Sequence, residues 1–185
     1  VVAIAYAAVM SQAKFLERAL YPVALMVKVV PILVWGILFV IWFGFGPAPR
    51  VLIAALITFF PVMVNALAGL RAATVESLDL FHSFNASRTQ VFWKLRVPSS
   101  LPYLFTAFKI SIPLAVIGAF VAEYFTGDRG IGSVISIAHS NLDMPTVFSA
   151  VVVLAAVSIV LTALTSYAER RLLFWHDSFR REQSD

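Results

Sequence analysis

Residues 51–70 read VLIAALITFFPVMVNALAGL, twenty residues without a charge. A hydrocarbon core about 30 Å thick needs about 20 apolar residues to cross as a helix, because each residue advances the axis by only ~1.5 Å. This stretch therefore reads as a membrane span. Working outward, residues 146–167 (TVFSAVVVLAAVSIVLTALTSY) form a second uncharged run of crossing length. Residues 21–45 are apolar apart from Lys28, and residues 103–125 apart from Lys109 and Glu123, which adds two spans with polar features to explain. Residues 1–10 are apolar but only half the length of a crossing, and they run into SQAKFLER (11–18) without the basic start or small-residue cleavage site of a signal peptide. The expectation is a polytopic, all-α transmembrane bundle in one domain, N-terminally truncated, with four whole spans and the end of a fifth.

Composition agrees. Of 185 residues, 61% are hydrophobic and 13% charged, with a mean hydropathy of +0.89. A soluble domain is about half apolar and a quarter charged, so a water-soluble enzyme and a disordered tail are both excluded. The absence of cysteine removes disulfides, thiolate metal sites and cysteine nucleophiles together. The net charge of +4 and pI near 9.7 fit basic loops facing anionic lipid, with no nucleic acid implied. Alternate crossings put Lys14, Arg18, Arg71, Arg88, Lys94, Arg96, Arg170, Arg171, Arg180 and Arg181 on one side, against only Arg50 and Arg129 on the other. The first side is then cytoplasmic, and so is the tail 168–185.

The one long polar segment, RAATVESLDLFHSFNASRTQVFWKLRVPSSLP (71–102), lies on that side. A connection of this length is functional or disordered, and this one carries local order. Ser87 followed by Gln90 is a capping box, with Ala86 and Val91 as a weak staple, opening a helix from Arg88 to about Arg96. Pro98 opposes its continuation and biases Val97 toward extended geometry. Val91, Phe92 and Leu95 fall at helical spacing as an apolar face, flanked by Arg88, Lys94 and Arg96. Such a helix suits either the lipid surface or a docking partner.

This loop resembles the cytoplasmic loop of binding-protein-dependent ABC transporter permeases, whose pattern is Glu-Ala-Ala, a glycine after three further residues, and a Leu-Pro or similar pair beyond. Aligned on Val97 and Pro98, the acidic position is Asp79, the alanine positions are Leu80 and Phe81, and the glycine position is Asn85. Asp preserves the charge, Leu80 and Phe81 replace small residues, and Asn tolerates the left-handed backbone that a turn between helices needs. NASRTQVFWKLRVPSSLPYLF (85–105) is similar to the nitrate, sulfonate, taurine and pyrimidine-precursor branch. WFGFG (42–46), FFPVMVNALAGLR (59–71), AEYF (122–125), DRGIG (128–132) and YAERR (167–171) extend the likeness over the whole chain. The resemblance implies a type I importer permease in the inner membrane of a prokaryote, multi-pass with a cytoplasmic C-terminus and no catalysis or cofactor of its own. Its implied partners are cytoplasmic ATPases carrying ATP and magnesium, an extracytoplasmic solute-binding protein, and a second permease subunit, most simply another copy. Asp79, Leu80, Phe81, Asn85, Ala86, Ser87, Arg88, Gln90, Val91, Phe92, Leu95 and Pro98 would form the ATPase-coupling surface.

No residue constellation supports a reaction. GDRGIGS (127–133) lacks the Gly-Lys-Ser/Thr end of a phosphate loop and reads as an outer turn before a short helix over 131–140; His82, His139 and His176 are scattered without metal-ligand spacing. The translocation-path candidates are Asn65, Lys109 and Glu123, since polar groups in lipid are costly and tend to face a cavity. Each has a plainer reading. Lys109, like Lys28, can snorkel to the inner surface; Glu123 can be a paired or interfacial carboxylate; Asn65, four residues after Pro61, can bond a neighbouring helix. The alternative to a permease subunit, a self-contained secondary transporter or channel, would need repeated halves or coupling-ion carboxylates, and only Glu123 lies within a span. The solute stays open among sulfonates, nitrate and pyrimidine or riboflavin-type precursors, with a lean toward the last two.

Overall fold

The computed structural model describes residues 1–126 and 129–173, the side chain of Thr126 excepted. Gly127, Asp128, His176, Arg180, Arg181 and the end of the tail, all used in the sequence reading, lie outside the described residues. Among these residues every regular element is helical: α1 Val2–Gln12, α2 Lys14–Val29, α3 Ile32–Phe43, α4 Pro47–Leu70, α5 Val75–Ser83, α6 Arg88–Val91, a π-helical turn Phe92–Arg96, α7 Val97–Thr126, α8 Ile131–Ser140 and α9 Met144–Leu172.

Among the described residues, three continuous helices are long and apolar enough to cross a membrane: Pro47–Leu70, Arg88–Phe125 and Met144–Leu172. The run 21–45 is not one straight helix. Its residues fall in α2 and α3, whose axes differ by 87°. Pro31 lacks a backbone N–H and disfavours helical geometry at Val30, so the ladder stops there. The Trp35 indole N–H donates to the Val27 carbonyl at 3.2 Å, satisfying one of the acceptors that the end of α2 leaves open.

The chain divides into two compact groups, Val1–Leu20 with Pro61–Lys109 and the described part of Ala163–Asp185, and Tyr21–Phe60 with Ile110–Thr162. In the first group α1 buries Ala3, Ala7, Met10 and Ser11, a spacing that places them along one helix face. The Tyr6 hydroxyl donates to the Leu20 carbonyl at 2.8 Å, tying α1 to α2. At Gly69 α4 meets α7 so closely that an added Cβ would lie 2.8 Å from Tyr103 Cβ and 2.9 Å from Ser100 Cα. In the second group the same helices touch at Gly118, where a Cβ would come within 2.9 Å of Ala54 Cα. Small residues at both crossings let the backbones approach, the usual source of van der Waals contact between helices in lipid. Lys28 lies with its ammonium 4.1 Å from the centroid of the Phe60 ring.

The turn between α8 and α9 ends in strain. Leu142 has φ +56, and its N–H bonds His139 O while Asp143 N–H bonds Ala138 O, closing α8 with a left-handed residue that glycine would adopt more easily. Asp143 then caps α9 through the Thr146 backbone N–H and hydroxyl.

The Gly69 contact sets a test. Gly69→Ala forces α4 and α7 apart and should destabilise the protein by about 1–3 kcal/mol. Gly46→Ala, whose Cβ would meet nothing within 4 Å, should be nearly neutral. Thermal unfolding of both variants in detergent measures the difference; equal melting would mean that the crossing relaxes freely.

Candidate functional site

The polar segment between α4 and α7 is built from local signals that close one another. Thr74 caps α5, accepting from Ser77 N–H at 3.3 Å. Glu76 in its first turn is fully exposed and held below the ordinary carboxylate range by hydrogen bonds from its own backbone N–H and the Thr74 side chain. A lowered carboxylate favours the folded form above its unfolded pKa, and that contribution fades as pH falls through the folded value. At the other end of α5, Asn85 takes φ +51, its N–H bonds His82 O at 2.9 Å, and Ala86 N–H bonds Phe81 O at 3.0 Å. This is a Schellman closure with asparagine in the left-handed place, the conformation its position in the motif called for. Two residues on, the capping box forms: Ser87 N–H donates to Gln90 Oε1 at 2.8 Å and Gln90 N–H to Ser87 Oγ at 3.3 Å.

Beyond Val91 the chain departs from expectation. Pro98 does not stop the helix and Val97 is not extended; it has φ −64 and ψ −51, and α7 runs straight on. The π-helical turn is the reason. It replaces the normal bonding with a wider register, Val97 N–H bonding Phe92 O, and the proline follows directly on this change of register, at the second position of α7. The apolar stripe is also turned. Val91 is buried and Phe92 and Leu95 are half-buried, so these three pack on their own chain. The exposed large apolar groups of the loop are Val75, Leu80, Phe84 and Trp93, with Phe84 77% and Trp93 64% exposed. Trp93 follows Val91 by two residues, about 200° around a helix, so the stripe that buries one presents the other. Asp79, Asn85, Ser87, Arg88, Gln90 and Pro98 are exposed with them, and Phe81 and Ala86 are half-buried.

The three path candidates make three different structural contacts. Asn65 bonds back on its own helix, Nδ2 donating to Pro61 O at 2.9 Å, with no bond to a neighbouring helix among the described residues. Lys109 does not simply snorkel: its ammonium meets Glu169 of α9 at 2.5 Å, with the Glu169 side chain only 10% exposed. Glu123 accepts from Gly132 N–H at 3.0 Å and so closes the N-terminus of α8. Gly130, at φ +109, passes the same carboxylate so closely that a Cβ there would lie 2.2 Å from it.

Sequence reasoning missed Glu169, although an acid beside Arg170 and Arg171 at the end of an apolar run was a signal that a cation needed it nearby. It also missed a basic cluster. Arg71, just past α4, pairs with Glu17 at 2.7 Å and reaches Met10 O at 3.4 Å, while Arg96 of the π-turn reaches Ser11 O at 3.4 Å. The two guanidiniums thus cover the carbonyl end of α1, where cations are favoured.

The Lys109–Glu169 pair gives the next test. Lys109→Met leaves the buried carboxylate without its cation and should cost about 2 kcal/mol, below the range for a fully buried pair because Lys109 keeps a third of its exposure. Adding Glu169→Leu should recover most of the loss, a coupling readable from a double-mutant cycle of melting temperatures.

Comparison with known proteins completes the site. The chain is 35% identical to the formylaminopyrimidine transport permease protein of Halalkalibacterium halodurans, over 86% of this chain and 64% of that one. It is 34% identical to the riboflavin transport system permease protein of Chloroflexus aurantiacus (89% and 62%) and 31% identical to the taurine transport system permease protein of Escherichia coli (84% and 56%). It therefore spans less than two thirds of the length of these relatives. The family model that matches covers residues 1–174, α1 to α9 with the loop between α4 and α7. By that match this chain, with its all-helical permease fold, belongs to the binding-protein-dependent transport system inner membrane component family.

Proposed function

We propose that this chain forms the translocation path of an ATP-driven importer and receives its drive through residues 71–102. The observation that carries the reading is the loop itself: an ordered element between two membrane-length helices, capped at each step, with Leu80, Phe84, Trp93 and Arg88 on its exposed side. Exposed aromatics with a flanking arginine are the residue types that dominate binding energy at protein interfaces. The partner we assign to them is a cytoplasmic ATPase that holds ATP and magnesium. In this reading the Arg71 end of α4 faces the cytoplasm, as the basic residues of the polar loop favour. A solute-binding protein delivers cargo from the other face, and a second copy of the permease completes the path.

The solute we favour is a pyrimidine precursor or a riboflavin-type heteroaromatic, because the relatives at 35% and 34% identity carry those names. Sulfonates and nitrate are the competing cargoes, carried in the names of more distant relatives. Uptake assays with each binding protein and its solute discriminate among them. A self-contained transporter or channel is the competing class, and solute uptake into liposomes by the permease without any ATPase would establish it instead.

Docking is testable residue by residue. Trp93→Ala should weaken co-purification of the ATPase by about thirtyfold, equivalent to ~2 kcal/mol, and Arg88→Glu should do so at least as strongly. Both residues are exposed, so melting temperature should hold. Val91→Asp should behave differently, lowering stability first, because that side chain is buried in its own chain. Full ATPase retention by the Trp93 and Arg88 variants would remove this surface as the dock.

A further inference from the structure

A cavity of about 290 Å³ opens beside the Arg71–Glu17 pair, lined by the α1–α2 turn (Ser11, Lys14), the end of α4 (Leu70, Arg71), Leu78 of α5 and Arg96 of the π-turn. Its lining includes three cations, Lys14, Arg71 and Arg96, and no carboxylate. Glu17, the one acid engaged with the cluster, is committed to Arg71. Hydrogen bonding leaves donors in excess. Arg96 makes a single bond, to Ser11 O, and Lys14 makes no hydrogen bond or ion pair among the described residues. A guanidinium carries five N–H donors and an ammonium three, so the cluster lacks acceptors and negative charge together. Those are the two things that a phosphate supplies.

The level of the cavity says which phosphate. It lies where α1 ends at Gln12 and where the uncharged run of α4 gives way to Arg71, the depth of lipid headgroups. Phe15, one residue from Lys14 in the first turn of α2, is 78% exposed, an uncovered apolar ring at the same level of the chain as the unpaired ammonium. A free anion has no use for that ring, whereas an acyl chain does. We propose that this cavity binds the headgroup of an anionic phospholipid from the inner leaflet, with Lys14, Arg71 and Arg96 on the phosphate. The inner-leaflet assignment rests on the orientation proposed above. Because Arg96 belongs to the π-turn and Arg71 to the start of the loop, the lipid would brace the segment that takes up the drive.

The test uses the full-length permease with its ATPase, extracted from bilayers of equal parts phosphatidylcholine, phosphatidylethanolamine and phosphatidylglycerol, with retained lipid read by native mass spectrometry. Wild type should retain phosphatidylglycerol over the zwitterionic lipids. Lys14→Gln and Arg96→Gln should each reduce that retention about fivefold, the worth of one cation near an anionic surface. Arg96→Lys should keep most of it, and Arg170→Gln, exposed on α9, should leave it unchanged. Equal retention of all three lipids by wild type, or undiminished retention by both glutamine variants, would overturn the proposal. So would inorganic phosphate binding to the lipid-free complex with no lipid preference, which would assign the site to a soluble anion. The orientation has its own readout: Lys14→Cys should react with a membrane-impermeant maleimide only in inside-out vesicles. Reaction in right-side-out vesicles with lipid preference intact would overturn the leaflet and the orientation, and leave the headgroup site standing.

Discussion

In hydrocarbon there is no water to take up a stray backbone N–H or C=O, so every break in a helical ladder has to be closed by the chain itself. Nine prolines in 185 residues make that constraint severe. The structure meets it in distinct ways. Pro47 and Pro49 sit in the first turn of α4, where the missing N–H has no partner to lose, and Pro98 follows directly on the π-turn, where the bonding register changes. Pro31 falls between helices, and an indole from α3 covers a carbonyl at the end of α2. Hydroxyls bond back along the same helices, Thr58 to Ala54 O and Thr106 to Pro102 O, so these polar side chains need no partner elsewhere.

The same constraint explains what could be read from sequence. The length of an uncharged run fixes a crossing, and the helices over 51–70 and 146–167 follow from that alone. Ser87 with Gln90, and asparagine in a glycine position, are local devices whose geometry depends on three or four neighbouring residues, so they survive folding unchanged. Pro98 was misread because a proline was weighed against an α-helical ladder only. A π-turn offers a second register, and choosing it needs the packing of Phe92 and Leu95 that sequence does not display. The inward turn of Val91 and outward turn of Trp93 belong to the same class: periodicity finds a stripe but does not say what covers it. Glu169 was hidden for another reason, since its partner lies sixty residues away on another helix.

These closures make the loop stiff. From α5 the chain passes through a Schellman closure, a capping box and a π-turn into α7 with each junction fixed by at least two hydrogen bonds or by continuous helix. A displacement applied to α5 and α6 has no loose segment in which to dissipate before it reaches α7. The degenerate motif residues fit this account. Leu80 and Phe81 replace two alanines, yet Leu80 is exposed and Phe81 contributes its carbonyl to the closure, a role that any residue fills.

Arginine rather than lysine at 71 follows from the work at the end of α1. Met10 and Ser11 offer carbonyls, Glu17 a carboxylate, and one planar fork reaches two of the three at once, with Arg71 Nη1 on Glu17 and Nη2 on Met10 O. An ammonium has donors too, but all on one nitrogen, whereas the guanidinium spreads its donors over a planar fork whose Nη1 and Nη2 reach two acceptors set apart. Because Arg71 enters the loop and Arg96 leaves it, the two bonds to α1 stake both ends of residues 71–96 to the same helix terminus. The loop therefore moves against α1 only by opening these contacts, whose donor–acceptor distances of 3.4 Å to the carbonyls lie beyond the usual N–H···O range and make them easy to open.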